Sequence, residues 1–184
     1  MSKAVMLSIR PKWCELIANG TKTVEVRKTR PKLETPFKCY IYCTSGRPDL
    51  NIPISPERLM QDYLDTGSMK SLNCPLGNGK VIGEFTCDRI YWLAPLNHAP
   101  DDVEQQACLT REEIVRYLKG VGYGWHISDL KIYDKPRELR ELKKSNRDCF
   151  YADLGLAKRD CPDCKNSGCF LERPPQSWCY VEEG

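Results

Sequence analysis

The sequence predicts an α+β fold, a small mixed β-barrel with peripheral helices and a cysteine-rich loop. Three observations carry this. Short stretches that alternate apolar and polar residues outnumber helical ones, the spacers between them are irregular and share 13 prolines, and no internal repeat is visible. At 184 residues, with 41% hydrophobic and 29% charged types, the chain suits one globular domain over residues 1–184 rather than two independent cores.

Ala4 to Arg10 reads as a first strand, with Val5, Leu7 and Ile9 alternating against Met6 and Ser8. Pro11 stops it and opens a short amphipathic helix, in which Trp13, Leu16 and Ile17 share a face and Asn19-Gly20 supplies a left-handed end. The next strand runs through Val24 to Arg27. Alternation gives Val24 and Val26 one face, expected to be core, and Thr23, Glu25 and Arg27 the other, expected to point out of the barrel.

Phe37 to Thr44 forms another strand, and residues 45–80 an insertion. Its one expected helix starts at Pro56 behind Ser55 and runs to about Leu64. Val81 to Leu93 is a strand region, with a bend allowed. A helix at Arg111 to Lys119 is announced by the capping box of Thr110 and Glu113 and stopped by Gly120. Trp125 to Tyr133 and Trp178 to Glu182 are the last strands.

The net charge of +3 is unevenly spread. Residues 1–50 hold ten Lys/Arg against four Asp/Glu, residues 51–130 seven against eleven, and residues 131–184 eleven against ten. A basic N-terminal third is the footprint expected of a polyanion binder, although charged faces also serve only to solvate. No apolar run approaches the roughly 20 residues of a membrane crossing, and no signal-peptide core is present, so a cytoplasmic location without membrane contact is expected.

The 11 cysteines are an odd number and argue for reduced thiols rather than a disulfide framework. "CPDCKNSGC" brings Cys161, Cys164 and Cys169 into a loop spanning residues 145–175. A C-x2-C pair can deliver two thiolates to one tetrahedral ion, so a structural zinc site is the reading here, with Cys149 as preferred fourth ligand and Cys179 as rival. The alternative is a polar loop with incidental thiols. Cys14, Cys39, Cys43, Cys74, Cys87 and Cys108 read as buried or partly buried small residues.

The segments "MLSIRPKWCELIANGTKTVEVRKTRP", "VIGEF", "WHISDLKIYD" and "RPPQSWCYV", in that order, resemble the ASCH family (activating signal cointegrator homology) in its bacterial and prophage form. The signature is a Gly-x-Lys-x-x-Glu-x-Arg run, matched by Gly20, Lys22, Glu25 and Arg27. The resemblance implies a PUA-like barrel and an association with RNA. Some bacterial members are amidohydrolases that deacetylate N4-acetylcytidine.

On that footing Lys22, Glu25 and Arg27 are expected to wall a basic cleft for single-stranded RNA or a modified nucleotide, with Lys28, Arg10 and Lys12 adding charge. Lys22 and Arg27 can contact phosphate, and Glu25 can accept from an exocyclic amine or a ribose hydroxyl. Trp125 and His126, beside the flexible "GVGYG" segment, are expected near the ligand, as a stacking surface and a phosphate donor. The other reading of Glu25 and Arg27 is a plain cross-strand ion pair.

An amidohydrolase of this family uses a lysine, a threonine three residues later and a glutamate from a later strand, which Lys22 and Glu84 match. The threonine position is Glu25, and Thr23 is a substitute that a regular strand would turn away from Lys22. A poised Lys22 with Glu84 as acid can still activate water. A third reading is a phage-encoded interaction domain, in which the 45–80 insertion and the cysteine-rich segment bind a protein partner.

Overall fold

The computed structural model describes residues 3–45, 78–93, 99–145 and 170–183. The helix expected at 56–64 and all four preferred zinc ligands, Cys149, Cys161, Cys164 and Cys169, lie outside the described residues. So do most of the 45–80 insertion and most of the 145–175 loop.

Among the described residues, eight strands and three short α-helices follow in the order β1 (Lys3–Ile9), α1 (Pro11–Ala18), β2 (Val24–Arg27), β3 (Phe37–Cys43), β4 (Val81–Cys87), β5 (Ile90–Trp92), α2 (Val103–Ala107), α3 (Arg111–Leu118), β6 (Tyr123–His126), β7 (Ser128–Arg137) and β8 (Trp178–Glu182). They form a five-stranded sheet in the order β7-β4-β3-β1-β8 and a three-stranded sheet in the order β2-β6-β5. The architecture is α+β and barrel-like, but two separate sheets face each other rather than closing into one ring.

β1 lies inside the larger sheet, parallel to β3 on one side and antiparallel to β8 on the other. A parallel neighbour requires a crossover. Here α1 and β2 provide it, so the basic segment is carried out of the first sheet and into the second. Both faces of β1 are buried. Val5, Leu7 and Ile9 join Cys39, Ile41, Phe85 and Trp125 in the core between the sheets. Ala4 and Met6 join Tyr40, Tyr42, Val81 and Val181 beneath the far side. A third core packs Val24 and Val26 against Val103, Ala107, Ile114 and Leu118 of α2 and α3.

Two strand regions turn corners between the sheets, the first where a bend was allowed and the second where a continuous strand was expected. The first breaks between Cys87 and Ile90, so β4 belongs to the larger sheet and β5 to the smaller. The second breaks at Ile127, leaving β6 in the smaller sheet and β7 in the larger. α3 begins as expected, with the Thr110 hydroxyl accepting from the Glu113 amide and the Glu113 carboxylate from the Thr110 amide, and ends with Lys119 at φ 55°. The one-turn helix α2 has no counterpart in the sequence reading.

Cys14, Cys39, Cys43 and Cys87 are buried and unbridged. Burial pushes the Cys87 thiol up to about 12 and raises Cys39 in the same sense, so both stay protonated and pack as small apolar groups. Cys108 is only half-buried.

β4 lies so close to β7 that a Cβ on Gly83 would stand 2.5 Å from the Lys131 carbonyl oxygen. Gly83→Ala therefore has to push backbone, and we expect a loss of about 1–3 kcal/mol in guanidinium unfolding, with an unchanged m-value.

Candidate functional site

The turn between α1 and β2 fixes the first functional side chain. Gly20 takes φ 77°, the Thr21 amide donates to the Asn19 side chain, and the Lys22 amide donates to the Leu16 carbonyl at 2.8 Å. The Thr23 amide reaches the Gln106 carbonyl of α2 at 2.9 Å, so α1 and α2 clamp the chain on either side of Lys22.

β2 then places Glu25 and Arg27 on one face. The pairings Glu25 with Trp125 and Arg27 with Tyr123 put these four side chains on the same side of the smaller sheet, toward the other sheet. This corrects the expectation that the charged face points out of the barrel. Val24 and Val26 are buried too, because α2 and α3 cover the opposite face. With apolar cover on that side, the charged side is directed into the gap between the sheets.

Lys22, Glu25 and Arg27 are 2%, 7% and 6% exposed. They form a linked set with Glu25 in the middle, its Oε2 3.5 Å from Lys22 Nζ and its Oε1 3.0 Å from an Arg27 terminal nitrogen. Fixed carbonyls hold the two cations. Lys22 Nζ donates to the Ala107 oxygen at 2.7 Å. Arg27 donates through one terminal nitrogen to the Ser8 oxygen at 2.8 Å, and through the other to the Ser177 oxygen and hydroxyl at 3.3 and 3.2 Å. Arg27 Nε is buried without a partner among the described residues.

These three side chains line a recess of about 510 Å³ at the end of β1. Trp13 from α1 and Tyr117 from α3 are further wall residues, and the exposed Arg10 stands at its edge. Lys22 Nζ lies 5.1 Å and Lys12 Nζ 4.9 Å from the Trp13 ring centroid, and Lys28 Nζ lies 5.3 Å from that of Tyr117. Of the residues read as nucleic-acid contacts, Lys22, Glu25, Arg27 and Arg10 thus share the recess, and Lys12 and Lys28 stack on its walls.

Four others sit elsewhere. Trp125 is fully buried between Phe37 and Trp178 in the central core, not at a ligand surface. His126 points to the other side of the smaller sheet, because it is paired with Val24, and its Nδ1 lies 2.6 Å from an Asp88 carboxylate oxygen. Although partial burial opposes it, this histidine contact holds the Asp88 carboxyl below its usual range. Thr23 does not line the recess. Nor does Glu84, which is paired with Tyr40 on the far face of the larger sheet, where it accepts from the Tyr133 hydroxyl at 2.6 Å and lies 3.7 Å from Lys38. Burial and this carboxylate both push the Tyr133 hydroxyl above its usual value. Lys22, Thr23 and Glu84 are therefore not gathered into one catalytic group.

The sequence reading missed Trp13 as a wall, Tyr117, Ala107 and Ser177. Trp13 was legible only as one of several apolar residues on a short helix, and Tyr117 as an exposed position on α3. Ala107 acts through its carbonyl oxygen, which carries no residue-type signal, and Ser177 through its carbonyl oxygen as well as its hydroxyl, 150 residues from Arg27 in sequence.

The ASCH domain family matches residues 7–64, a span that contains the whole Gly20–Arg27 signature. The chain is similar to the ASCH domain over that span. Its fold is shared with the crystal structure of the ASCH protein from Zymomonas mobilis, at a TM-score of 0.55 and 16% identity over 98% of this chain and 88% of that one. A mutant of the same protein aligns at 0.55 and 17% identity over 98% and 89%. No curated protein matches the sequence. The signature residues within the matched span, Lys22, Glu25 and Arg27, are the floor of the recess.

Removing the central carboxylate would leave two buried cations facing each other. Glu25→Ala is expected to destabilise the fold by about 3–5 kcal/mol in chemical denaturation, well beyond the cost of an exposed ion pair.

Proposed function

We propose that this chain is a nucleic-acid-binding module that holds one nucleotide of a single-stranded RNA in the recess floored by Lys22, Glu25 and Arg27. The observation that carries the reading is the pairing of a net-cationic, dehydrated floor with aromatic walls. Two cations flank one carboxylate, and Trp13 and Tyr117 stand beside them. The volume, about 510 Å³, falls within the roughly 300–1,000 Å³ typical of small-ligand sites. Bases stack on such rings for about 1–3 kcal/mol each, and Arg10, Lys12 and Lys28 at the margins suit the phosphates on either side.

Hydrolysis of an acylated cytidine is less well supported. The carboxylic acid it needs, Glu84, holds Tyr133 on the far face of the larger sheet, and the carboxylate beside Lys22 is already shared with Arg27.

The test is fluorescence anisotropy with a short labelled single-stranded RNA at two salt concentrations. Binding is expected to weaken with salt, with a log–log slope of about −0.7 per phosphate contact. Tyr117→Ala and Arg10→Ala alter exposed side chains and should leave the fold intact, yet each should weaken binding about tenfold. Absence of binding at low salt, or full affinity in the double variant, would overturn the proposal.

A further inference from the structure

Beyond Arg27 the chain continues as Lys28, Thr29, Arg30, Pro31 and Lys32, and the inward contacts of this segment fix its course. Pro31 is buried. The Thr29 hydroxyl accepts from Trp178 Nε1 at 3.0 Å, and the Lys32 amide donates to the Tyr180 hydroxyl at 2.8 Å. Trp178 stands opposite Leu7 and Tyr180 opposite Val5 in the pairing of β1 with β8. From Thr29 to Lys32 the segment therefore travels along β8, away from the recess beside Ile9 and toward Lys3.

Lys28, Arg30 and Lys32 are the side chains left outside, and all three are exposed. Rings seat two of them. Lys28 Nζ lies 5.3 Å from the ring centroid of Tyr117, itself a wall of the recess, and the Arg30 guanidinium 5.8 Å from that of Tyr123. At the far end Lys3 Nζ lies 4.7 Å from the Tyr180 ring centroid. A cation seated on a ring keeps its charge but gives up part of its rotamer freedom before any ligand arrives. The basic row stops at Lys3, where Glu182 stands opposite across the strand pairing and brings a negative charge. Lys3 is six residues before Ile9, about 20 Å along an extended strand.

We infer that Lys28, Arg30 and Lys32 form a phosphate track, over which the single strand whose nucleotide sits in the recess continues along β8 toward Lys3. The inference rests on the nucleotide-binding reading above and extends it from one nucleotide to a strand with a defined exit. At the rise of about 3.4 Å per nucleotide of a stacked strand, such a track takes about six nucleotides, and an extended strand needs fewer. Contacts to phosphates set register and affinity but carry no sequence information, so the track serves any order of bases.

The experiment is fluorescence anisotropy of labelled single-stranded RNAs of two to about twelve nucleotides on the full chain, at two salt concentrations. Affinity should rise with length and level off at about six to eight nucleotides. Arg30→Gln combined with Lys32→Gln should remove most of that gain. Affinity for the longest RNA should fall about tenfold, and its log–log salt slope should shrink by about 1.4, the equivalent of two phosphate contacts. Lys131→Gln combined with Lys135→Gln removes the same charge from exposed positions of β7, at the opposite edge of the larger sheet, and should change affinity less than about twofold. Equal losses from the two pairs, or an affinity that does not grow with length in the unaltered protein, overturns the track and leaves the recess reading standing. Absence of binding at every length overturns both. The length series needs no variant and so decides the matter even if a substituted protein fails to fold.

Discussion

The dependence of everything else on one buried carboxylate between two cations sets the logic of this fold. Moving an ion out of water costs several kcal/mol even after relaxation, and mutual attraction offsets that only when further hydrogen bonds are in place. Here they come from the carbonyls of Ala107 in α2, Ser8 in β1 and Ser177 just ahead of β8. Three separate elements must be in position before the charges on β2 can be tolerated. The recess is therefore the end of the core, where apolar packing between the sheets gives way to a polar floor.

The strands were legible because their apolar residues repeat every second position, and α3 because its capping box is written in two side chains. The side on which the charges of β2 lie was not. A period of two separates two faces but does not say which one is interior when both are covered, and the cover over Val24 and Val26 comes from α2, a five-residue helix too short to show a period. The corner at residue 127 was hidden for a related reason, whereas a bend in the region holding residues 88–89 was allowed for. Ile127 is itself a strand former, so the bend there follows from which sheet offers a partner.

Trp125 and His126 show the same limit at the level of single residues. Adjacent positions on a strand must face opposite ways, which rules out a shared ligand for both side chains. Trp125 fills the core and His126 turns to Asp88. The signature itself read truly as a spatial unit, since Lys22, Glu25 and Arg27 meet within one short strand and its approach. Glu84 comes from a distant segment, and its direction is set by the register of β4 against β3, in which it stands opposite Tyr40 rather than opposite a residue of the central core. Local constellations survive the step from sequence to structure better than those assembled across sheets.

The segment just before β8 has a consequence for the order of events during synthesis. Pro175 accepts from the Ser8 hydroxyl and Ser177 from Arg27, across separations of 167 and 150 residues. A nascent chain on the ribosome would present the basic N-terminal third long before these carbonyls exist. Until they emerge, the guanidinium of Arg27 lacks part of its seat, so the recess is completed only after the segment ahead of β8 has been made.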